Sequence, residues 1–552
     1  MVVASLVPRI TRLLPIAAVL LSGLAIQAAP AGASTTQESI FQDDSQLMAN
    51  PAGTLQTLRD LGVQRVRVNV TWNQIAPQAS SRQAPKGFTA TNPAAYPASG
   101  WAIYDEIDRA AAADGISLDF TLNGPAPLWA TGAGAPRGTT GYFLADWEPS
   151  AAQYGSFVRA VGTRYDGSYK PAGSATALPR ISFWSIWNEP NYGYDLGPQG
   201  TGTRQSTPNS PRMYRNLADA AWSGLQASGH TTRSDTILFG EVTPHGLNSW
   251  GVFSNMKPLV FLRSLYCVNS SYHELRGSAA SAQGCPSTAA ASRSFVKQNQ
   301  VLFSASGFAD HPYDEASAPN EPTHLCGSKL CVGSPEDPDF ADLPNVSRVE
   351  STLDRLNAVY GSRTHYAVWS TEDGVRTKPP DPVEGVSQAT AALYMNEAEY
   401  LSYKQSRVYS YSQYGLRDQP APADFDTGLE NPNGSDKPGF NAYRMPLFLP
   451  VTSTRAGRKL EVWGGVRPAG YAKHDTGKPQ SVQIQFQPGS KGAWQVIDTV
   501  TITNSKGYID VHVAFPSSGA VRLAWTYPTG DPLLSGGTVY SRTQSIKLVG
   551  GA

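Results

Sequence analysis

Phe183-Trp184-Ser185-Ile186-Trp187-Asn188-Glu189-Pro190-Asn191 is the stretch that decides the fold. The run from Arg180 to Ile186 is apolar and aromatic enough for a strand buried on both faces. Pro190 has no N–H to give a sheet ladder, so the strand is expected to stop at Glu189. That leaves a carboxylate beside the Asn188 amide at the C-terminal mouth of a buried strand. Position alone allows two readings: a solvated loop Glu bridging to a nearby Arg, or a functional acid.

Outward from this strand the chain alternates. Towards the N-terminus, Ile116 to Leu122 and Val63 to Val70 read as strands, and Ile40-Phe41 is a weak candidate for a first one. Leu55 to Leu61, Trp101 to Ala113 and Ser150 to Tyr165 read as the helices between them. Towards the C-terminus, strands are expected at Thr236 to Glu241, Phe308 to Tyr313, His365 to Thr371 and Val408 to Tyr414. Helices separate them at Arg212 to Ser228, from Leu259, at Val346 to Tyr360 and at Gln388 to Tyr403. This is the sequence form of an α/β (β/α)8 TIM barrel with loop insertions, spanning residues 34–450. An open doubly wound sheet is the alternative, but no Gly-rich phosphate loop follows an early strand. After Pro450 the helical periodicity vanishes. Short runs separated by turns follow, as expected of a small all-β sandwich over 451–552. Its Trp463, Trp494 and Trp525 sit in alternating runs; inward core packing is the expectation, a sugar platform the alternative.

Barrel enzymes set their active sites at the C-terminal ends of the strands. Those ends carry Arg67, Trp72, Asn123, Asn188, Glu189, Glu241, His311, Tyr313, Glu372, Tyr411 and Gln413. Trp129, in the loop after the third strand, could cover a pocket. The set contains no Cys nucleophile, no nucleophile elbow and no His cluster of the kind a metal needs, so no metal or cofactor is expected. Two carboxylates with aromatic walls is the constellation for glycoside hydrolysis, where one carboxyl protonates the leaving oxygen and the other attacks the anomeric carbon. Strands four and seven face each other across a barrel mouth, and by strand count they carry Glu189 and Glu372. For Arg67 a wall arginine paired to Asp119 is the plain alternative, and for His311 a satisfied core histidine. Glu241 fits a structural ion pair as well as a sugar contact.

Trp187-Asn188-Glu189-Pro190-Asn191 resembles the acid/base motif of clan A retaining glycoside hydrolases, most closely family 39 and family-5-like enzymes, in which an Asn-Glu pair ends strand four. Thr371-Glu372 is similar to the Thr-Glu that ends their strand seven. The resemblance implies Glu189 as acid/base and Glu372 as nucleophile, Arg67 as the neighbour that keeps the nucleophile ionised, and Asn188 on the sugar 2-hydroxyl. It also implies His311 and Tyr313 as contacts to nucleophile and sugar. The aromatic that usually follows the nucleophile is replaced by Asp373-Gly374, and the strand-eight Trp by Tyr411, Gln413 and Tyr414. The function implied is a retaining glycosidase, exo-acting or disaccharide-releasing, on a β-glycoside. An endo-acting polysaccharide hydrolase and an α-L-arabinofuranosidase are the enzymatic alternatives, and a carbohydrate-binding pseudoenzyme the non-enzymatic one.

Residues 1–33 read as a secretory signal. Arg9 and Arg12 precede an apolar run from Leu13 to Ala28, and Ala31-Gly32-Ala33 supplies an A-x-A cleavage site. The mature chain is expected outside the cell. Cys267, Cys285, Cys326 and Cys331 agree with an oxidising compartment. Local pairing, 267–285 and 326–331, is the simplest of three connectivities. Lys+Arg and Asp+Glu balance at 44 each, which gives nucleic acid or an anionic membrane no purchase. The expected partner is a carbohydrate or glycoside, and the expected state a monomer.

Overall fold

The computed structural model describes residues 34–549, apart from 203, 205, 249, 328, 421–424, 490, 532–533 and 535. The signal-like segment lies outside the described residues. No helix among them is long and apolar enough to cross a membrane.

Eight parallel strands close into a barrel: β1 (Glu38–Gln42), β2 (Arg65–Thr71), β3 (Ser117–Asn123), β4 (Phe183–Ile186), β5 (Thr236–Val242), β6 (Gly307–Asp310), β7 (Val368–Ser370) and β8 (Val408–Tyr414). β1 closes the ring by pairing with β8, Glu38 opposite Ser410 through Gln42 opposite Tyr414. Helices cover the outside, among them α1 (Ala151–Arg164), α2 (Ser210–Ala227) and α3 (Gln388–Tyr403). α2 carries one apolar stripe, in which Tyr214, Leu217, Ala218, Ala221 and Leu225 are all buried. The expected strands and helices are all present, with shifted bounds: β6 ends at Asp310 rather than Tyr313, β7 starts at Val368 rather than His365, and the deciding stretch is also corrected. β4 ends at Ile186, three residues before the expected stop. Trp187 (φ +66°) and Glu189 (φ +39°) turn into the left-handed region, which takes the chain out of the extended ladder.

A second group of sheets follows. One sheet joins Leu447–Phe448, Lys459–Gly465 and Tyr508–Ala514; the other joins Ser453–Arg455, Gln544–Val549, Gly519–Thr526, Ser481–Pro488 and Gln495–Thr501. Val462 and Ile509 from the first meet Ile484, Phe486 and Leu523 from the second in one apolar core, the arrangement of a sandwich. That core begins at Met445. A helix at Ala469–Thr476 interrupts the expected all-β run; Gly477 (φ +68°) closes it. Trp463 and Trp525 are buried, whereas Trp494 lies half-exposed under the Arg522 guanidinium, 4.1 Å from its ring centre.

The sandwich packs beneath the barrel, at the N-terminal ends of its strands. Tyr471 donates to the Val63 carbonyl at 2.6 Å, and Tyr508 and Arg467 both reach Glu399 at the end of α3, each at 2.7 Å. Gly62 is required at this seam: a Cβ there would stand 2.3 Å from the backbone of Arg467, and φ is +80°. The opposite, C-terminal mouth is left open.

Candidate active site

The site is built on Arg67. Its side chain points into the barrel from β2 and is fully buried. It is not paired with Asp119, which instead accepts from Ser185 at 3.0 Å. Nη1 donates to Gln42, at the end of β1, and to Glu372, just past β7. Nη2 donates to Asn188 Oδ1 at 2.8 Å and to Glu241 Oε2 at 2.7 Å. One guanidinium thus fixes groups from strands one, four, five and seven.

Glu241 reaches this position through a bulge. The β5–β6 register slips between Gly240 and Val242, and Glu241 takes φ +52°. Gly240 (φ +118°) permits the approach, since a Cβ there would stand 2.4 Å from the Ala309 carbonyl oxygen. Glu241 is fully buried, and its Oε2 also accepts from His311 at 2.8 Å and Thr371 at 3.0 Å. Burial alone would raise its pKa; the Arg67 charge and the His311 hydrogen bond outweigh it and hold the carboxyl down at about 2. The structure thus places Glu241 among the ion-pair partners of Arg67 behind the mouth.

His311 follows β6. Its Nδ1 lies 2.9 Å from Glu189 Oε1 and 3.6 Å from Glu372 Oε2. Burial alone would lower the imidazolium; the Glu372, Glu189 and Glu241 carboxyls reverse that and hold it up at about 10. Both ring nitrogens then carry protons, and Nε2–H donates to the ionised Glu241. Glu189, His311 and Glu372 each present a ligand atom within 4.8 Å of the others, with both His311 ring nitrogens already engaged by the Glu189 and Glu241 carboxyls. His324 with Cys326 and Cys331 forms a second such group, and its two sulfurs are joined in a disulfide.

Glu189 and Glu372 come together at the mouth. One carboxylate oxygen of each lies within 4.8 Å of the other. Burial pushes Glu189 above the ordinary carboxylate range and the Glu372 charge adds to that; the His311 hydrogen bond opposes the shift without cancelling it. Glu372 accepts from Arg67 and, through Oε2, from the Tyr313 hydroxyl at 3.1 Å. The left-handed backbone at Glu189 is closed by a turn in which Tyr192 N–H donates to its carbonyl at 2.8 Å. Trp187 still bonds the Leu122 carbonyl of β3 at 3.1 Å, so the departure from strand geometry is confined to the turn.

These groups floor a cavity of about 780 Å³, which Asn188, Glu189, Tyr313 and Glu372 all line. Asn123 stands one layer back, with its Nδ2 3.3 Å from Asn69 Oδ1, and Asn69 lines the cavity. Three expected binding residues lie elsewhere. Trp72 is fully buried and stacks on Phe157, 5.7 Å between ring centres. Trp129 packs edge-on against Trp72 and donates to the Pro77 carbonyl at 3.0 Å. Tyr411 is buried and faces away from the mouth, its ring 6.0 Å from the Arg467 guanidinium. Conversely Gln42, Tyr192, Tyr194, Asp195, Arg376 and Phe425 line the cavity without having been singled out. Tyr192 and Tyr194 had a signal in the sequence, a Gly-spaced aromatic pair directly after the Asn-Glu motif.

No family model matches the sequence and no curated protein matches it. Among solved structures the chain is similar to a family 39 glycoside hydrolase from the gut symbiont Bacteroides cellulosilyticus WH2, at 13% identity and TM-score 0.43, over 88% of this chain and 80% of that one. It is similar to a glucosidase from Croceicoccus marinus at 12% identity and TM-score 0.44, over 88% of this chain and 95% of that one. It is also similar to a family 1 β-glucosidase from Thermotoga maritima, at 14% identity and TM-score 0.41, over 70% and 81% of the two chains.

Proposed function

We propose that this chain is an exported retaining glycoside hydrolase, acting as a monomer by double displacement with Glu372 as nucleophile and Glu189 as acid/base. The observation that carries the reading is the carboxylate separation within 4.8 Å. Retaining enzymes hold their pair at roughly 5–5.5 Å, whereas inverting enzymes need roughly 6.5–9.5 Å to admit a water. The environments divide the roles. Glu189, raised by burial, keeps the proton that the leaving oxygen needs. Glu372, hydrogen-bonded by Arg67 and Tyr313, is the carboxylate aimed at the anomeric carbon.

In the first step Glu372 attacks the anomeric carbon while Glu189 gives its proton to the departing oxygen. In the second, ionised Glu189 takes a proton from water, which displaces Glu372 and restores the starting configuration. Arg67 and His311 hold the carboxyls in place through both steps. Barrel residues 34–450 carry the chemistry and residues 451–552 are accessory. Lining residues from the loops after β4 to β8 wall most of the mouth, which favours exo-action or release of a disaccharide from a β-glycoside.

Azide tests the roles. Glu189→Ala acting on a dinitrophenyl glycoside should form a glycosyl azide of retained configuration, because its first step needs no acid and azide needs no base. Glu372→Ala should yield only the inverted product. Exchanged stereochemistry in the proton NMR spectrum would swap the assignments, and full activity in either variant would remove that residue from the mechanism.

A further inference from the structure

The floor of the cavity and its rim differ in chemistry. The floor is carboxyl and amide; the rim sets exposed apolar side chains among polar ones such as Asn255, Glu315 and Arg376. Among the described residues, eleven large hydrophobic side chains are exposed. Tyr194, Leu330 and Phe425 of these line the cavity, Tyr142 stacks on Tyr194, and Val332 neighbours Leu330 on the same hairpin. Five of the eleven thus gather at one mouth, a clustering that marks a binding surface rather than chance exposure.

Each wall is held in place. The Tyr142 and Tyr194 rings lie 4.9 Å apart and 22° from parallel, and Phe143 meets Tyr194 edge-on at 5.3 Å. Their loop is seated at Gly193, where a Cβ would stand 2.1 Å from the Phe253 backbone. On the other wall Leu325 and Leu330 are cross-strand partners in a two-stranded hairpin, Thr323–Cys326 with Lys329–Val332, cross-linked by Cys326–Cys331. Both leucines face the cavity.

We infer that this rim is a subsite for the apolar, ring-bearing aglycone of a glycoside, an aromatic or alicyclic alcohol rather than a further sugar. The inference rests on the hydrolase reading of the floor. Stacked tyrosines would accept the face of either kind of ring. The leucine wall decides between them. A second sugar pressed against Leu325 and Leu330 would lose water from hydroxyls that those side chains cannot hydrogen-bond. An apolar ring loses nothing there and removes exposed apolar surface from both partners.

The test uses the full chain and 2-naphthol as a free aglycone probe, followed by naphthol fluorescence. Saturable binding is expected, weakened about tenfold by Tyr194→Ser or Leu330→Ser and restored by Leu330→Met. In turnover, Leu330→Ser should raise KM for a 2-naphthyl glycoside at least fivefold more than for a disaccharide of the same sugar. Absence of naphthol binding, or equal effects on the two substrates, overturns the aglycone site. Naphthol binding without cleavage of any glycoside would leave the aglycone site standing and remove the hydrolase reading. Cleavage without naphthol binding would do the reverse.

Discussion

Two buried arginine–carboxylate clusters occupy opposite ends of this barrel. At the lower end Arg467 pairs with Glu399 at 2.7 Å in the seam with the sandwich, and Tyr508 completes the group. That cluster is one acid and one base, closed on all sides. At the upper end Arg67 and His311 face Glu189, Glu241 and Glu372. Three carboxyls against two cations leave one negative charge over, and one proton on Glu189 brings the group to neutrality. The lower cluster needs no proton to balance and can only hold the fold. The upper one carries an odd carboxyl, and burial together with the Glu372 charge makes Glu189, which lines the cavity, the member shifted towards holding a proton.

The sharpest division between the two ends is expected from single substitutions. Glu372→Ala should lower kcat by a factor on the order of 10⁴ or more while the barrel stays folded, because Arg67 keeps Glu241 as its partner. Retention of more than a tenth of wild-type kcat would end the comparison. Glu189→Gln should cost about 10²–10⁴-fold on substrates with poor leaving groups, and far less on dinitrophenyl glycosides. Its pH profile carries the sign. The raised Glu189 pKa keeps the acid protonated further up the scale, so wild-type kcat/KM falls as pH rises through that value. The alkaline limb should be missing in Glu189→Gln; its persistence would give the titration to another group.

Smaller effects follow in stability. Glu399→Ala strands Arg467 in a buried site and should cost about 3–5 kcal/mol in denaturant unfolding, with kcat of the folded protein unaltered. Arg67→Met should cost a similar amount, since His311 is then the one cation left facing Glu189, Glu241 and Glu372, and should abolish activity as well. Equal loss of activity in both variants would mean that the two ends are not independent. The disulfides give the smallest contrast. Opening Cys267–Cys285, 18 residues apart, by the double Ser variant should cost about 3 kcal/mol. Opening Cys326–Cys331, 5 apart, should cost about 2 kcal/mol at most and loosen the leucine wall. Mass mapping checks the pairing, and calorimetry the order of the two.

Much of this was legible in the chain itself, and the failures have physical causes. The barrel strands could be read because buried parallel strands are apolar runs, and a run survives without knowledge of its neighbours. The end of β4 was misplaced because Trp187 and Glu189 adopt left-handed backbone without glycine, which side-chain type does not signal. Glu241 was ambiguous because its direction depends on a bulge, and Gly240 within a strand was the available hint. Trp72 and Trp129 read as binding residues because an aromatic after a strand end looks the same whether it turns to the mouth or to the flanking helices. Phe157 and Phe88 take them into the core. Tyr194 and Leu330 belong to long loops, where periodicity is silent.

The seam beneath the barrel also sets a clock. β1 pairs with β2 on one edge, but its other edge waits for β8, and Lys506 reaches Glu38 at 3.2 Å across 468 residues of chain. Ribosomal synthesis at about 5–20 residues per second separates those two ends by roughly 25 to 90 seconds. Until β8 has been made, β1 can pair with β2 alone and the barrel cannot close. Ring closure and the Lys506–Glu38 seam beneath it are therefore late events of synthesis, each joining residues that lie far apart in the chain.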